Sequence, residues 1–226
     1  SDIKEKSNSS LKYIQLDALN FSQLETAVKD YNISEIYHLA AILSAKGEEN
    51  PMLTWDINMN SLFNVLELAR NKAIEKVFWP SSISVFGINT PKIETDQFSI
   101  KEPTTAYGIS KLAGERWCEY YNFKYNTDIR SVRFPGIISS NTLPGGGTTD
   151  YAVEIFYSFL KNEKYNCFLN KKSMLPMIYI DDAIESIYKL MLADKENLSI
   201  KSSYNLASFS LSPEIIEKEL KKIDNS

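Results

Sequence analysis

The sequence predicts an α/β protein built on a doubly wound parallel sheet, with a smaller C-terminal part. Strand-like and helix-like segments alternate five times along the chain, which is typical of parallel strands joined by right-handed crossovers. Of the 226 residues, 43% are hydrophobic, enough to bury a large core. Several strand-like segments are followed at once by polar or small residues, namely Asp17, Ala40–Ala41, Ser81–Ser82 and Pro135–Gly136. Because ligands bind at the carboxyl ends of parallel strands, we expect this edge of the sheet to hold the functional site.

The first half of the chain supplies three predicted strands and two predicted helices. After a polar stretch over residues 1–10, alternating apolar residues predict a strand at 11–16, and apolar spacing predicts a helix at 21–31. Residues 35–41 are apolar enough for a strand buried on both faces. Pro51 begins a long helix that runs to about Arg70, and the run 76–80 predicts the next strand.

The second half continues the alternation after a surface loop at 89–103, which contains two prolines. A helix over 104–123 is expected to pack through its apolar residues Ile109, Leu112, Ala113, Trp117 and Tyr120. A flexible loop is predicted at 143–149. The remaining strands are expected at 128–134, 166–169, 177–180 and 203–206, and the remaining helices at 151–160, 181–192 and from Ser212-Pro213 onward.

Composition excludes several classes of protein. A net charge of −4 and a pI near 5.2 argue against nucleic acid or an anionic membrane as the main partner. The apolar runs are shorter than a membrane span, and the start of the chain does not resemble a signal peptide. The two cysteines, Cys118 and Cys167, have no disulfide or metal-site spacing and are expected to be reduced and partly buried. The chain is therefore expected to be a soluble intracellular protein.

Tyr107 and Lys111 form the strongest chemical signal in the sequence. Their spacing places a phenol and an ammonium on one helix face, and we expect the cation to lower the pKa of the tyrosine. A tyrosinate can take the proton of a substrate alcohol while hydride leaves for a nicotinamide, and a serine hydroxyl from the Ser81–Ser82 pair can hold the same oxygen. The alternative is a surface tyrosine and lysine on an ordinary helix.

Other titratable residues are expected to be structural. His38, the single histidine, lies in a predicted buried strand and is expected to be a packed, hydrogen-bonded core residue rather than a base. Glu48-Glu49 is expected to be a solvated turn, and Asp181-Asp182 a helix N-terminus. These acidic pairs do not converge in the sequence pattern, so no metal site is predicted.

Four segments occur in the order of a known family: Y-H-L-A-A at 37–41, D-I-N-M-N-S-L-F-N-V-L-E at 56–67, P-S-S-I-S-V-F-G at 80–87 and Y-G-I-S-K at 107–111. They span most of the chain, which resembles the extended short-chain dehydrogenase/reductase superfamily of NAD-dependent epimerases and dehydratases. The resemblance implies a Rossmann-type NAD-binding domain over residues 1–140. It also implies a mostly substrate-binding lobe over 141–226, with segments near 176–192 returning to the main domain. It further implies that Ser82, with Ser81 as its near rival, acts in catalysis with Tyr107 and Lys111, and that Lys111 holds the nicotinamide ribose.

Further segments are similar to the short-chain-type L-threonine 3-dehydrogenases: R-F-P-G-I-I-S at 133–139, P-G-G-G-T-T-D-Y-A-V at 144–153, L-P-M-I-Y-I-D-D-A-I at 175–184 and G-E-R-W-C-E-Y-Y at 114–121. This resemblance implies NAD-dependent oxidation of the L-threonine 3-hydroxyl to 2-amino-3-ketobutyrate, a step of threonine catabolism. The substrate contacts that it implies are Ser44, Ser82, Tyr107, Gly147, Thr148 and Thr149, with either of the two threonines as the closer contact. The alternatives are a nucleotide-sugar epimerase or dehydratase, which needs room and basic residues for a diphosphate, and a non-catalytic dinucleotide-binding relative.

The resemblance also implies an NAD site. If residues 1–3 end a strand, Asp2 would bond the adenosine ribose hydroxyls and repel a 2′-phosphate, selecting NAD over NADP; otherwise Asp2 is a terminal residue without that role. The expected cofactor contacts are Asp2, Ile3, Asp17, Ala18, Leu39, Ala40, Ala41, Asn58, Tyr107, Lys111 and Pro135. A dinucleotide fold needs a glycine-rich turn after its first strand, and no glycine lies near residue 1. We therefore expect the sequence to be a portion of a longer protein rather than a degenerate relative.

The two long helices predict self-association. Helices 55–70 and 104–123 carry more apolar and aromatic residues than one sheet face needs. We expect them to pair across a two-fold axis in a homodimer, as the resemblance also implies. The expected compartment is the cytoplasm of a bacterium or the mitochondrial matrix of a eukaryote.

Overall fold

A computed structural model describes residues 12–141, 143, 145 and 147–224 of the chain. Seven α-helices lie within these residues: α1 Phe21–Asp30, α2 Ser44–Glu49, α3 Pro51–Arg70, α4 Ala106–Tyr125, α5 Tyr151–Leu160, α6 Ile180–Leu192 and α7 Pro213–Asp224. Seven strands accompany them: β1 Glu35–Tyr37, β2 Lys76–Ser82, β3 Ile129–Phe134, β4 Gly136–Ile138, β5 Leu175–Tyr179, β6 Tyr204–Asn205 and β7 Phe209–Leu211. Two 3₁₀ turns occupy Ile83–Val85 and Lys195–Asn197.

The larger sheet is parallel throughout its described strands. Its order is β1-β2-β3-β6, with Ile36 opposite Val77 and Ser82 opposite Phe134. The smaller sheet has the order β4-β5-β7, in which β4 runs parallel to β5 and β7 runs antiparallel to it. A single residue, Pro135, separates the end of β3 from the first strand of the smaller sheet.

Successive residues of β2 pack on opposite faces of the larger sheet. Val77 and Trp79 join the core formed with α1, α3 and α4, whereas Phe78 joins Val132 and Met191 on the side covered by α6. This alternation follows from the two-residue period of a strand. Helices therefore cover both faces, and the predicted doubly wound α/β fold is confirmed.

Helix predictions held better than those for short strands. The helices expected at 21–31, 51–70, 151–160 and 181–192 are present to within one residue at each end, and the final helix begins at Pro213 as expected. The strand expected at 11–16 is wrong within the described residues, because only an isolated bridge at Gln15 is present. The strand expected at 166–169 is absent, while α2, β4 and β7 were not expected.

The strand expected at 35–41 is also different from the prediction. It ends at Tyr37, whose side chain is 46% exposed, while Glu35 and Ile36 are partly buried. The segment is therefore shorter and less buried than its apolar composition indicated.

The packing face predicted for α4 is correct only in part: Ala113 packs against the core and Leu112 is partly buried, but the other three residues are exposed. Ile109, Trp117 and Tyr120 are 47%, 40% and 44% exposed. The face turned to the sheet instead carries small and polar residues, among them Gly114, where a Cβ would lie 2.4 Å from the Trp79 ring. Glycine at this position lets the helix backbone approach the large indole. At this contact the space between helix and strand is filled by the Trp79 side chain.

Two further observations concern the class of protein. Both cysteines are free, Cys118 buried and Cys167 partly buried, as expected from their spacing. Within the described ranges, no helix combines the length and apolarity needed to cross a membrane.

Candidate active site

The site begins at the carboxyl end of β2. Ser81 and Ser82 are the last two residues of that strand and lie opposite Arg133 and Phe134 of β3. Ser82 has extended backbone angles, and its hydroxyl accepts a hydrogen bond from the Ser84 amide at 3.2 Å. This cap starts the 3₁₀ turn and holds the Ser82 side chain at the strand edge.

The first turn of α4 is held close to this strand end. The Thr105 hydroxyl accepts from the Gly108 amide at 3.0 Å, and the Glu48 carboxylate accepts from the Ala106 amide at 2.8 Å. A Cβ at Gly108 would lie 2.3 Å from the Ser84 carbonyl oxygen, so a glycine is required for this approach. The prediction that Glu48-Glu49 is a solvated turn is therefore wrong, because both lie in α2 and Glu48 caps α4.

Tyr107 and Lys111 point towards the same strand end. The Lys111 side chain is 3% exposed, and its ammonium donates to the Pro80 carbonyl oxygen at 2.6 Å. The ammonium nitrogen also lies 5.5 Å from the centre of the Tyr107 ring and 4.6 Å from that of Trp79. The structure thus brings together the tyrosine, the lysine and Ser82.

The expected electrostatic effect of Lys111 on Tyr107 is not what the geometry produces. Burial raises the pKa of Tyr107 above its usual range, and the hydrogen bond from the Ser82 hydroxyl opposes that rise. Burial also lowers the pKa of Lys111 to about 8. The prediction that Lys111 lowers the tyrosine pKa is corrected here, since the group that favours the phenolate is Ser82.

Ser81 has a different environment from Ser82. Its hydroxyl is buried and donates to Glu115 Oε1 at 2.7 Å. Arg133 makes a two-pronged ion pair with the same carboxylate, with both N–O distances 2.8 Å. Ser81 is therefore held in a buried network and not against Tyr107 in the way that Ser82 is.

The segment after β1 is anchored by Asn58. The Asn58 side-chain oxygen accepts from the Ile42 amide at 2.8 Å, and its nitrogen donates to the Ile42 carbonyl at 3.2 Å and to the Ser110 hydroxyl at 3.3 Å. Both polar atoms of this amide are thus engaged within the chain. The anchor fixes residues 38–42 relative to α3 and α4.

His38 belongs to the interior, as predicted. Its Nε2 is 3.1 Å from the Ser61 hydroxyl, and its amide donates to the Phe78 carbonyl at 2.9 Å. Burial, and secondly the charge of Lys111, lower the pKa of His38 to about 4, so the ring is neutral near neutral pH.

Of the other residues expected at a dinucleotide, Leu39, Ala40 and Ala41 follow β1, Pro135 follows β3, and Asp17 and Ala18 precede α1. Leu39 is 65% exposed and Ala40 is exposed beyond β1, while Ala41 is partly buried. Asp17 accepts from the Leu19 amide at 2.9 Å, and Pro135 is buried between β3 and β4. The Ala18 carbonyl accepts from the Asn64 amide group at 2.9 Å. Asp2 and Ile3 fall outside the described residues.

The described residues of the loop over 143–149, called the glycine loop below, include Gly145, which lies near the start of α2. Ser44 is the first residue of α2, and a Cβ at Gly47 in the same helix would lie 3.7 Å from Tyr107 Cβ. A Cβ at Gly145 would lie 3.7 Å from Leu43, directly before α2. The loop that contains Gly145 is thus adjacent to the start of the helix that contacts Tyr107.

The end of the glycine loop is held by the chain that follows it. The Gly147 amide donates to the Asp150 carboxylate at 2.7 Å. Thr148 is exposed and Thr149 is partly buried beside Gly136, where a Cβ would lie 2.8 Å from Thr149 Cβ.

Three residues near the site were not predicted from the sequence. Glu115 continues the four-residue spacing from Tyr107 and Lys111, so helical periodicity could have found it. Arg133 has no local signal, because its partner is 18 residues away and on another element. The Ser84 hydroxyl is buried without a hydrogen-bond partner in the part of the chain that the structure describes.

A cleft of about 870 Å³ lies next to the residues that follow β2 and next to Arg133 of β3. Its walls come from the loop that follows the 3₁₀ turn, from the segment before and within β5, and from the residues that follow β6. Ile83 and Arg133 line it, together with two lysines, Lys92 and Lys172. Among the described residues, no three metal-ligating side chains come together.

A parallel α/β sheet whose carboxyl edge gathers a serine, a tyrosine and a lysine is typical of the short-chain dehydrogenase/reductase class of proteins. The family described as the NAD dependent epimerase/dehydratase family matches residues 1–207. The chain belongs to this family. NAD is the cofactor of the family, in agreement with the cofactor predicted from the sequence.

Relatives and solved structures agree on the family and differ in the activity that they name. An uncharacterized epimerase/dehydratase of Staphylococcus haemolyticus is 46% identical over 207 residues, covering 92% of this chain and 65% of that protein. The holo form of a GalE-like L-threonine dehydrogenase from Cupriavidus necator is 47% identical, with a TM-score of 0.95 over 98% of this chain and 72% of that one. A monomeric L-threonine 3-dehydrogenase from a metagenome is 44% identical, with a TM-score of 0.93 over 98% and 71%. The chain spans about two-thirds of the curated relative's length.

Proposed function

We propose that the protein oxidises the 3-hydroxyl of L-threonine to 2-amino-3-ketobutyrate with NAD, a step of threonine catabolism. The observation that carries the proposal is the meeting of Ser82, Tyr107 and Lys111 at the carboxyl edge of the larger sheet. Similarity of 44–47% to solved structures named L-threonine dehydrogenase supports the choice of substrate.

The edge of the sheet fits a dinucleotide. Beyond β1 the chain presents exposed Leu39 and the small Ala40, which leave the surface open where a pyrophosphate would approach. The described residues that would hold NAD are Asp17, Ala18, Leu39, Ala40, Ala41, Tyr107, Lys111 and Pro135. Asn58 would act beneath them, since its amide is engaged with Ile42. When bound, NAD supplies the acceptor for the hydride of the alcohol carbon.

In the proposed reaction the residues of this chain accept the proton of the substrate hydroxyl and position its oxygen. Tyr107 accepts the proton of the substrate hydroxyl, while the Ser82 hydroxyl holds the substrate oxygen and favours the phenolate. Because burial raises the tyrosine pKa, the phenolate forms more readily at alkaline pH. We therefore expect the oxidation rate to rise as pH increases.

The proposed substrate contacts come from two segments: Ser44 from α2, and Gly147, Thr148 and Thr149 from the glycine loop. Ser44, Thr148 and Thr149 offer hydroxyl groups, which can accept from an ammonium or donate to a carboxylate. Gly147 adds little bulk, and the proximity of Gly145 to Leu43 supports the assignment of this loop to the substrate. We propose residues 1–140 as the NAD domain and 141–226 as mostly substrate lobe. On this division α6, which packs on β3, returns to the main domain, and β6 also pairs with β3.

We further propose a homodimer formed by the outer faces of α3 and α4. Trp55, Ile109, Trp117, Tyr120 and Phe123 expose large apolar surfaces on these two helices. An aromatic surface of this kind is typical of a face that a partner covers. The metagenomic neighbour is described as monomeric, so the solution state needs measurement.

A direct assay tests the proposed activity. The full-length protein is incubated with L-threonine and NAD, and absorbance at the NADH band is followed. Threonine-dependent NADH formation is expected. No threonine-dependent signal, together with turnover of a nucleotide sugar, would overturn the proposal.

The second candidate is a nucleotide-sugar epimerase or dehydratase. One observation favours it: Lys92 and Lys172 line the cleft of about 870 Å³ beside Ile83, where they could meet a diphosphate. Replacing both lysines with alanine should abolish nucleotide-sugar turnover and leave threonine oxidation unchanged. Binding of NAD without turnover of either substrate would instead favour a non-catalytic relative.

A further inference from the structure

The end of β2 is bonded to α4 through two successive residues. The Pro80 carbonyl oxygen accepts from the Lys111 ammonium at 2.6 Å, and the Ser81 hydroxyl donates to the Glu115 carboxylate at 2.7 Å. The first turn of α4, which carries Tyr107, lies against the 3₁₀ turn that follows Ser82, where a Cβ at Gly108 would be 2.3 Å from the Ser84 carbonyl oxygen. The strand end that carries Ser82 is therefore joined to α4 by the two residues directly before it.

The Glu115 carboxylate is itself held rigidly. Glu115 and Arg133 are both almost completely buried, and the guanidinium donates to both carboxylate oxygens. Arg133 also donates to the Gln97 carbonyl at 3.0 Å and to the Asn205 side-chain oxygen at 2.8 Å. Arg133 lies directly opposite Ser81 in the neighbouring strand, so three elements meet at one carboxylate.

We propose that Ser81 and Glu115 are positioning residues whose hydrogen bond sets the end of β2 against α4 and thereby holds Ser82 at Tyr107. Neither residue is proposed to touch substrate or cofactor. The inference rests on the proposed function for the reaction that this arrangement serves.

Productive catalytic groups must be held to within about 0.5 Å, and a misplacement of about 1 Å can lower a rate by about 100-fold. Ser82 is the next residue after Ser81, and the chain turns immediately afterwards into the 3₁₀ turn. A strand end that is released from α4 at Ser81 can shift by such a distance without unfolding.

Ser81→Ala is the sharpest test, because it removes this bond and leaves the Glu115–Arg133 ion pair in place. Ser131→Ala is the matched control: Ser131 is an equally buried strand serine whose hydroxyl is bonded to Ser203. We expect kcat to fall about 100-fold in Ser81→Ala, with KM for NAD unchanged, and to stay within about twofold in Ser131→Ala. Equal losses in the two variants would overturn the proposal.

A measurement that does not depend on turnover separates this inference from the proposed function. Tyrosine labelled with ¹³C at Cζ is incorporated into the full-length protein, and the Tyr107 resonance is assigned by its loss in Tyr107→Phe. We expect the Tyr107 titration to move to higher pH in Ser81→Ala, because the Ser82 hydroxyl, which lowers the pKa of Tyr107, is displaced, and to stay unchanged in Ser131→Ala. An unchanged Tyr107 titration in Ser81→Ala would refute the positioning role. Absence of threonine oxidation in the parent protein would overturn only the proposed function.

Discussion

The two faces of α4 differ in a way that inverts the usual pattern of a surface helix. The face against the sheet carries Tyr107, Lys111 and Glu115, and the last two are almost fully buried. The opposite face exposes Trp117 and Tyr120. An amphipathic helix normally buries its apolar stripe, so a prediction from hydrophobic spacing placed Trp117 and Tyr120 on the packing face, although both are exposed.

The inversion is possible because the buried charges have partners. The Lys111 ammonium donates to a backbone carbonyl, and Glu115 is paired with Arg133. A buried charge is tolerated only under such conditions.

The outer face is a network of aromatic rings. Trp117 packs edge-to-face on Phe63 at 5.1 Å and on Tyr120 at 5.7 Å, and Tyr120 packs on Tyr125 at 5.9 Å. In this helix the polar residues Lys111 and Glu115 are buried near the site, while the aromatic residues Trp117 and Tyr120 lie on the exposed face.

The largest difference between the two faces is expected in the effect of a tyrosine substitution on turnover. Tyr107→Phe should lower turnover by about 10³-fold or more, because it removes the proton acceptor. NAD affinity, measured by fluorescence titration, should remain nearly unchanged. Tyr120→Phe, on the outer face, is the control and should keep full turnover. Loss of turnover and NAD affinity together in Tyr107→Phe would indicate misfolding and would contradict a role of Tyr107 limited to proton transfer.

The two faces should also differ in what an acidic side chain contributes to stability. Glu115→Gln leaves the buried Arg133 charge uncompensated and should lower the free energy of unfolding by about 3–5 kcal/mol. Glu119→Gln removes the partner of Arg116 in a more exposed pair of the same helix and should cost less than about 1 kcal/mol. Urea denaturation measures both changes. Similar costs would show that burial of the inner pair has little energetic consequence.

His38 is buried near Lys111 of α4, and the charge of Lys111 contributes to lowering the pKa of the imidazole. Its pKa is about 4 in the folded protein against 6.5 ordinarily, so the unfolded chain binds more protons between these values. Stability from this residue is therefore complete above pH 6.5 and is lost as pH falls towards about 4.

The loss of stability at low pH should be larger in the parent protein than in His38→Gln. Between about pH 7 and about pH 4.5 the free energy of unfolding of the parent should fall by about 2 kcal/mol more than that of the variant. Urea denaturation at the two pH values gives this difference. Parallel losses in both proteins would exclude a neutral, buried histidine.

The smallest effect is expected for association through the outer face. Trp117→Arg should weaken the proposed dimer about tenfold, because a large aromatic contact is replaced by a charge. Light scattering at micromolar concentration measures the association. A parent protein that is monomeric at that concentration would refute the dimer.

Long elements were predictable from the sequence, and short ones were not. The helices α1, α3 and α4 follow from local spacing and from caps such as the Thr105 hydroxyl bonded to Gly108. The three-residue strands β4 and β7, which were not predicted, exist because β5 pairs with them. Their sequences contain too little periodic information to predict them.

By itself the sequence determined that Tyr107 and Lys111 share one helix face and that the Ser81–Ser82 pair ends a strand, because helical spacing and strand composition are local properties. Tertiary structure decided the rest. It directed Ser82 to Tyr107 and Ser81 to Glu115, and it paired Glu115 with Arg133 across 18 positions. It also made burial the dominant influence on the tyrosine pKa. These features depend on desolvation and on partners distant along the chain, and neither is encoded in the spacing of neighbouring residues.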